Sequence, residues 1–168
     1  MDQLEFYNVN QGDLSRDQVI DEIISYIREK PEYFYDIIVG CDSSSETHPV
    51  FPIVIVVLRV GAGGRFFVKK VRFDGNPKRF AHPHQRIIQE VMLSCELALS
   101  LREMFFAKIN NEKNDLRYQF RYIHADVGSG GQTRSMIKEV VGVINGNGFE
   151  AKIKPESYAA SVVADRFT

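Results

Sequence analysis

Five uncharged residues, Ile37-Ile38-Val39-Gly40-Cys41, end abruptly at Asp42 and three hydroxyl residues, Ser43 to Ser45. A short β-branched run bounded by turn formers reads as a buried strand. Asp42 then sits where the sheet meets solvent. A second segment, Tyr122-Ile123-His124-Ala125-Asp126-Val127-Gly128, has the same shape, an apolar strand delivering an aspartate just before a glycine-rich loop. If the two strands are neighbours, Asp42 and Asp126 converge. Carboxylates held that close repel one another, and a divalent cation between them is the usual remedy.

The rest of the chain supports one domain built around those strands. Its 168 residues, 44% of them hydrophobic, suffice for an ample core. A formal net charge of −1 provides no global field toward nucleic acid or membrane, so any such attraction must come from a local patch. No apolar segment reaches the roughly 18 residues that a membrane span needs, and the N-terminus lacks the basic flank and apolar stretch of a secretory signal. Cys41 and Cys95 lie inside apolar runs and read as buried thiols of a reducing compartment. The expected setting is the cytoplasm.

Residues 1–35 read as an N-terminal arm and helix packed on a domain spanning 36–168. Met1 to Leu14 has no clear periodicity and is expected to be irregular. Ser15 and Gln18 form a capping box, and Val19, Ile20, Ile23, Ile24 and Ile27 recur at helical spacing before Pro31 stops the helix. After the Asp42 turn, Phe51 to Val60 is a long β-branched strand. Gly61-Ala62-Gly63-Gly64 marks a hairpin, and a third strand runs from Arg65 to Phe73. A helix follows from His82-Pro83 to about Lys108, then a polar loop from Asn110 to Leu116 and a fourth strand from Gln119 to Asp126. A helix over roughly Thr133 to Asn145, a short fifth strand Glu150 to Lys154, and a final helix starting at Ser157 or Ser161 complete the chain. The order β-β-β-α-β-α-β-α implies an α/β fold with a mixed five-stranded sheet and helices on both faces. In it the first strand is central, with the fourth parallel beside it.

That topology, with its acidic positions, resembles the ribonuclease H-like superfamily. The phrases Gly63-Gly64-Arg65-Phe66-Phe67, Lys152-Ile153-Lys154-Pro155-Glu156-Ser157-Tyr158-Ala159-Ala160 and Ala164-Asp165-Arg166 resemble the bacterial YkuK-type family within it, over roughly Asp36 to the C-terminus. The resemblance implies phosphodiester cleavage with two Mg²⁺ or Mn²⁺ ions about 4 Å apart, one helping to generate the nucleophile and the other stabilising the leaving oxygen. It also implies four metal-binding, catalytic acids: one on the first strand, one on the first long helix, one on the fourth strand and one at the final helix. Asp42 and Asp126 match the strand positions, and Asp165 matches the last. For the helix acid Glu90 and Glu96 both qualify, but six residues separate them by about 120° around the axis, so both cannot aim at one site. Glu90 is preferred, being nearer the helix N-terminus as the superfamily pattern requires.

His124, two residues from Asp126 on the same side of the strand, is either a proton shuttle or a hydrogen-bonded structural histidine. From Arg65 to Arg86 the chain carries Lys69, Lys70, Arg72, Lys78 and Arg79 among phenylalanines, against one acid, Asp74. Such a stretch suits backbone-tracking contact with nucleic acid, and Lys154 on the last strand could join it; the alternative is a solvated strand whose phenylalanines face the core. Gly128-Ser129-Gly130-Gly131 lacks the lysine-serine ending of a P-loop, so no nucleotide cofactor is expected. The leading functional expectation is a metal-dependent nuclease acting on RNA, an RNA–DNA hybrid or structured DNA. The alternative from another class is a non-catalytic nucleic-acid-binding or protein-interaction module on the same fold. Nucleotide phosphate hydrolysis ranks last, because enzymes of that kind generally enclose the nucleotide between two such domains.

Overall fold

A computed structural model describes residues 3–110 and 115–168. The elements in chain order are β1 (Leu4–Asn8), β2 (Gly12–Ser15), α1 (Arg16–Glu29), β3 (Tyr35–Cys41), β4 (Val50–Arg59), β5 (Gly64–Arg72), α2 (Pro83–Ile109), β6 (Tyr118–Gln119), β7 (Tyr122–His124), α3 (Ile137–Gly146) and β8 (Glu150–Lys152). One mixed sheet runs β2-β1-β5-β4-β3-β7-β8, with β6 also paired to β3. β3, β4 and β5 form an antiparallel meander, and β7 lies parallel to both β3 and β8. The α/β architecture and the central position of the first meander strand follow the sequence pattern.

Period-two alternation divides the core. Ile37, Val39 and Cys41 of β3, with Phe51, Ile53, Ile55 and Val57 of β4, face the layer built by α1, α2 and α3. Ile38, Val54, Val56 and Val68 point the other way, against a C-terminal segment carrying Ala159 and Ala164. Central strands buried on both faces have to be apolar throughout, which is why β4 reads as an unbroken β-branched run. Gly40 makes the second interface possible. A Cβ there would lie 2.7 Å from the backbone nitrogen of Ala160 and 2.9 Å from the carbonyl carbon of Ala159. Only glycine lets the C-terminal backbone approach the central strand so closely.

The sheet is wider than five strands. The segment expected to be an irregular arm forms the hairpin β1–β2, and β1 pairs with β5. Its strands are four and five residues long and bury few side chains, chiefly Phe6 and Leu14, too little for a periodic signal. Asn8 fastens the hairpin by donating through Nδ2 to the carbonyl of Phe66 at 2.9 Å. The fourth expected strand is split into β6 and β7. The turn before α3 is 3₁₀ over Gly131–Met136. In place of a regular final helix the chain makes a π-helical segment, Ala159–Ala164, and a 3₁₀ turn, Asp165–Phe167. The polar loop read over 110–116 lies mostly outside the described residues. Cys41 and Cys95 are both buried free thiols.

Candidate functional site

Strand register decides whether the two aspartates meet. Val39 pairs with Ile123 and Gly40 with His124 in the parallel β3–β7 ladder. Two residues further along each chain stand Asp42 and Asp126, level with one another at the same end of the sheet. Asp42 feels the charge of Asp126, and the Asp165 carboxyl is within hydrogen-bonding reach of it. Burial, reinforced by these two acids against an opposing backbone hydrogen bond at Ser43, pushes the Asp42 carboxyl up to about 7. Asp165 is itself exposed, so the cluster opens to solvent on that side.

Glu90 closes the cluster from below. It is 5% exposed on α2, and burial drives its carboxyl well above the usual range, with Asp42 and Asp126 adding to the rise. Ser43 Oγ donates to Glu90 Oε1 at 2.5 Å, and the positive charge of Arg86, one turn earlier, offsets part of the cost. Glu96 lies on the exposed side of α2, in a groove of about 260 Å³ shared with Arg16, Lys69 and Ser100. The structure therefore brings Asp42, Glu90, Asp126 and Asp165 together and leaves Glu96 apart.

Lys154 enters the same site. Its Nζ is 3.2 Å from Asp126 Oδ1, off the direction of a hydrogen bond, so that this buried oxygen accepts none. Among the described residues no group of three or more His, Cys, Asp and Glu side chains is spaced to hold a metal ion as it stands. The donor chemistry nonetheless fits one. All four acids offer hard oxygen ligands suited to Mg²⁺ or Mn²⁺. One buried carboxylate oxygen, Asp126 Oδ1, lacks a hydrogen bond, and burial with mutual repulsion raises the Asp42 and Glu90 carboxyls above their ordinary range.

His124 is buried beside the site. Its Nδ1 accepts from the Ala159 backbone N–H at 3.1 Å, which puts its proton on Nε2, and its ring meets Tyr158 edge-on at 4.7 Å. Burial, with Lys152 nearby, lowers its pKa to about 4. The neutral ring thus clamps the start of the C-terminal segment to β7.

The basic stretch does not form one surface. Neighbours on β5 point to opposite faces of the sheet. Lys69 pairs with Glu5 at 3.4 Å on the helical side, while Lys70 stands over the Phe167 ring on the other. Phe67 and Phe80 are buried, Phe73 packs on Phe51, and Phe66 packs on Phe167. These rings are core, not a stacking platform. Arg72 is exposed at the end of β5. Lys78 and Arg79 lie on the 3₁₀ turn Pro77–Phe80, where Lys78, with Arg86, borders a groove of about 380 Å³ facing Ser45, Glu46 and Thr47. That groove adjoins the loop leaving Asp42. Sequence reasoning missed Ser43 and Gly40; a lone glycine inside an otherwise β-branched strand was the signal for close backbone approach.

The fold agrees with what comparison with known proteins finds. The ribonuclease H-like family model matches residues 18–168, and the chain belongs to that family. It is also similar along its whole length to the uncharacterized protein YkuK of Bacillus subtilis (strain 168), with 28% identity over 99% of this chain and 98% of the relative. No solved structure matches. No helix among the described residues is long and apolar enough to cross a membrane.

Proposed function

We propose that this protein is a divalent-metal-dependent nuclease, hydrolysing phosphodiester bonds of RNA, an RNA–DNA hybrid or structured DNA. The observation carrying this reading is the convergence of Asp42, Glu90, Asp126 and Asp165 at one end of the sheet. Asp42 and Asp126, just beyond the ends of β3 and β7, would hold Mg²⁺ or Mn²⁺ with Glu90, and Asp165 would complete the set from the exposed side. The bound cation would supply the Lewis acidity that activates water and steadies the leaving oxygen. Ser43 orients Glu90, and His124 fixes the segment that carries Asp165. Lys78 and Arg86, along the groove beside the site, would follow a phosphate backbone.

A specific observation keeps a second reading in view. The acids are not preassembled into a metal cage, as they would not be in a non-catalytic nucleic-acid or protein-binding module on this fold. Labelled hybrid, single-stranded and branched substrates incubated with Mn²⁺ separate the two. A nuclease cleaves at least one class, loses that activity in Asp126→Asn and Glu90→Gln, and keeps it in Glu96→Gln. Binding without cleavage in the wild type selects the module.

A further inference from the structure

The lysine beside Asp126 is held there by three independent contacts. Its backbone N–H donates to the Val127 carbonyl at 2.8 Å. Its aliphatic stem lies on Gly128 so closely that a Cβ on that residue would be 3.0 Å from Lys154 Cβ and 3.4 Å from Cδ. Its ammonium ends 3.2 Å from Asp126 Oδ1, with half of the side chain exposed. An ion pair this accessible adds little to folding stability. Its consequence is positional: the ammonium covers the oxygen on which a divalent cation would have to land. The other faces of the cluster are acidic or hydroxylic, from Asp42, Asp165, Glu90 and Ser43, and the charge of Arg86 acts on Glu90.

We infer that Lys154 is a built-in counter-ion of the acidic cluster, occupying the cation's place at Asp126 and yielding it when the metal binds. This rests on the metal-dependent reading above. It accounts for an acid cluster that is assembled yet not spaced as a metal cage: one of its carboxylates is already neutralised by a monovalent charge from β8's continuation. It also separates Lys154 from Lys69, whose ammonium pairs with Glu5 outside the cluster, and from Lys70, whose ammonium ends over the Phe167 ring.

Isothermal titration with Mn²⁺ at pH 7.5, on the full-length wild type, Lys154→Met, Lys154→Arg and Asp126→Asn, tests it. Removing a unit charge at this range is expected to tighten Mn²⁺ binding by about tenfold in Lys154→Met, with Lys154→Arg close to wild type and Asp126→Asn strongly weakened. Gly128→Ala, which keeps the charge but pushes its stem aside, should fall between wild type and Lys154→Met. Wild-type binding with equal or weaker affinity in Lys154→Met overturns the counter-ion role and leaves the metal site standing. Absence of Mn²⁺ binding in both proteins removes the metal reading and this inference with it.

Discussion

Ser43 Oγ donates to the buried Glu90 Oε1 at 2.5 Å, tying the end of the central strand to the inner face of the long helix. The bond favours the ionised carboxyl of Glu90 against burial, which opposes it. Ser43→Ala should therefore cost about 1–3 kcal/mol of stability, the range for a hydrogen bond to a charged or buried group left unpaired. It should also weaken Mn²⁺ binding, because Glu90 then gives up its proton less readily. Denaturant unfolding and calorimetry check both effects; a neutral substitution would show that Ser43 does not position Glu90.

The acids make stability depend on pH in a direction opposite to that of most paired carboxylates. The Asp42 carboxyl titrates near 7 in the folded chain, against an ordinary value of 3.8. Between those values the folded chain holds a proton that the unfolded chain has released, so stability falls as pH rises. Metal-free Asp42→Asn should thus be more stable than wild type at pH 7.5, by about 1–2 kcal/mol once solvent screening is allowed for. The gap should close toward pH 4.5. Added Mn²⁺ should reverse the order at pH 7.5, since only the wild type offers the full ligand set. Melting temperatures with and without Mn²⁺ across this range decide it, and a pH-independent difference would contradict the electrostatic coupling.

Gly40→Ala tests the close approach behind the site. The new methyl would meet backbone, which cannot rotate away, and the C-terminal segment must shift. Overpacking of this kind costs about 1–3 kcal/mol, or several degrees in Tm. Mn²⁺ affinity should fall too, because Asp165 rides on the displaced segment. Loss of stability with metal affinity intact would place Asp165 outside the ligand set.

The basic residues should divide into two groups. Lys78→Glu and Arg86→Gln, beside the Asp42 loop, should weaken nucleic-acid binding, with Lys78→Glu reducing the slope of log affinity against log salt by about one contact. Lys69→Gln, already paired with Glu5, should leave binding nearly unchanged. Filter binding at several salt concentrations reads both, and equal losses from Lys69→Gln and Lys78→Glu would contradict this division.

Much of this organisation was legible in the residues themselves. Asp42 and Asp126 stand out because each ends an apolar strand, and parallel pairing of those strands puts them level. Glu90 and Glu96 could be separated only by packing, since helical periodicity says that their directions differ but not which one faces the sheet. The arm before Ser15 hid a hairpin because β1 and β2 bury one large apolar side chain each, Phe6 and Leu14. The split of Lys69 from Lys70 was readable from strand alternation, but their pairing with Glu5 and Phe167 depends on elements distant in the chain. The π-helical segment carries no sequence period of its own; it is shaped by docking on Gly40.

Diffraction from crystals soaked in Mn²⁺ puts the central relationship to the most direct test. Anomalous density is expected at the end of the central strands, within about 2.2 Å of oxygens from both Asp42 and Asp126, with Lys154 Nζ moved away from Asp126. An anomalous map empty at that position, or a Mn²⁺ ion bound elsewhere while the Lys154–Asp126 pair persists, would contradict it.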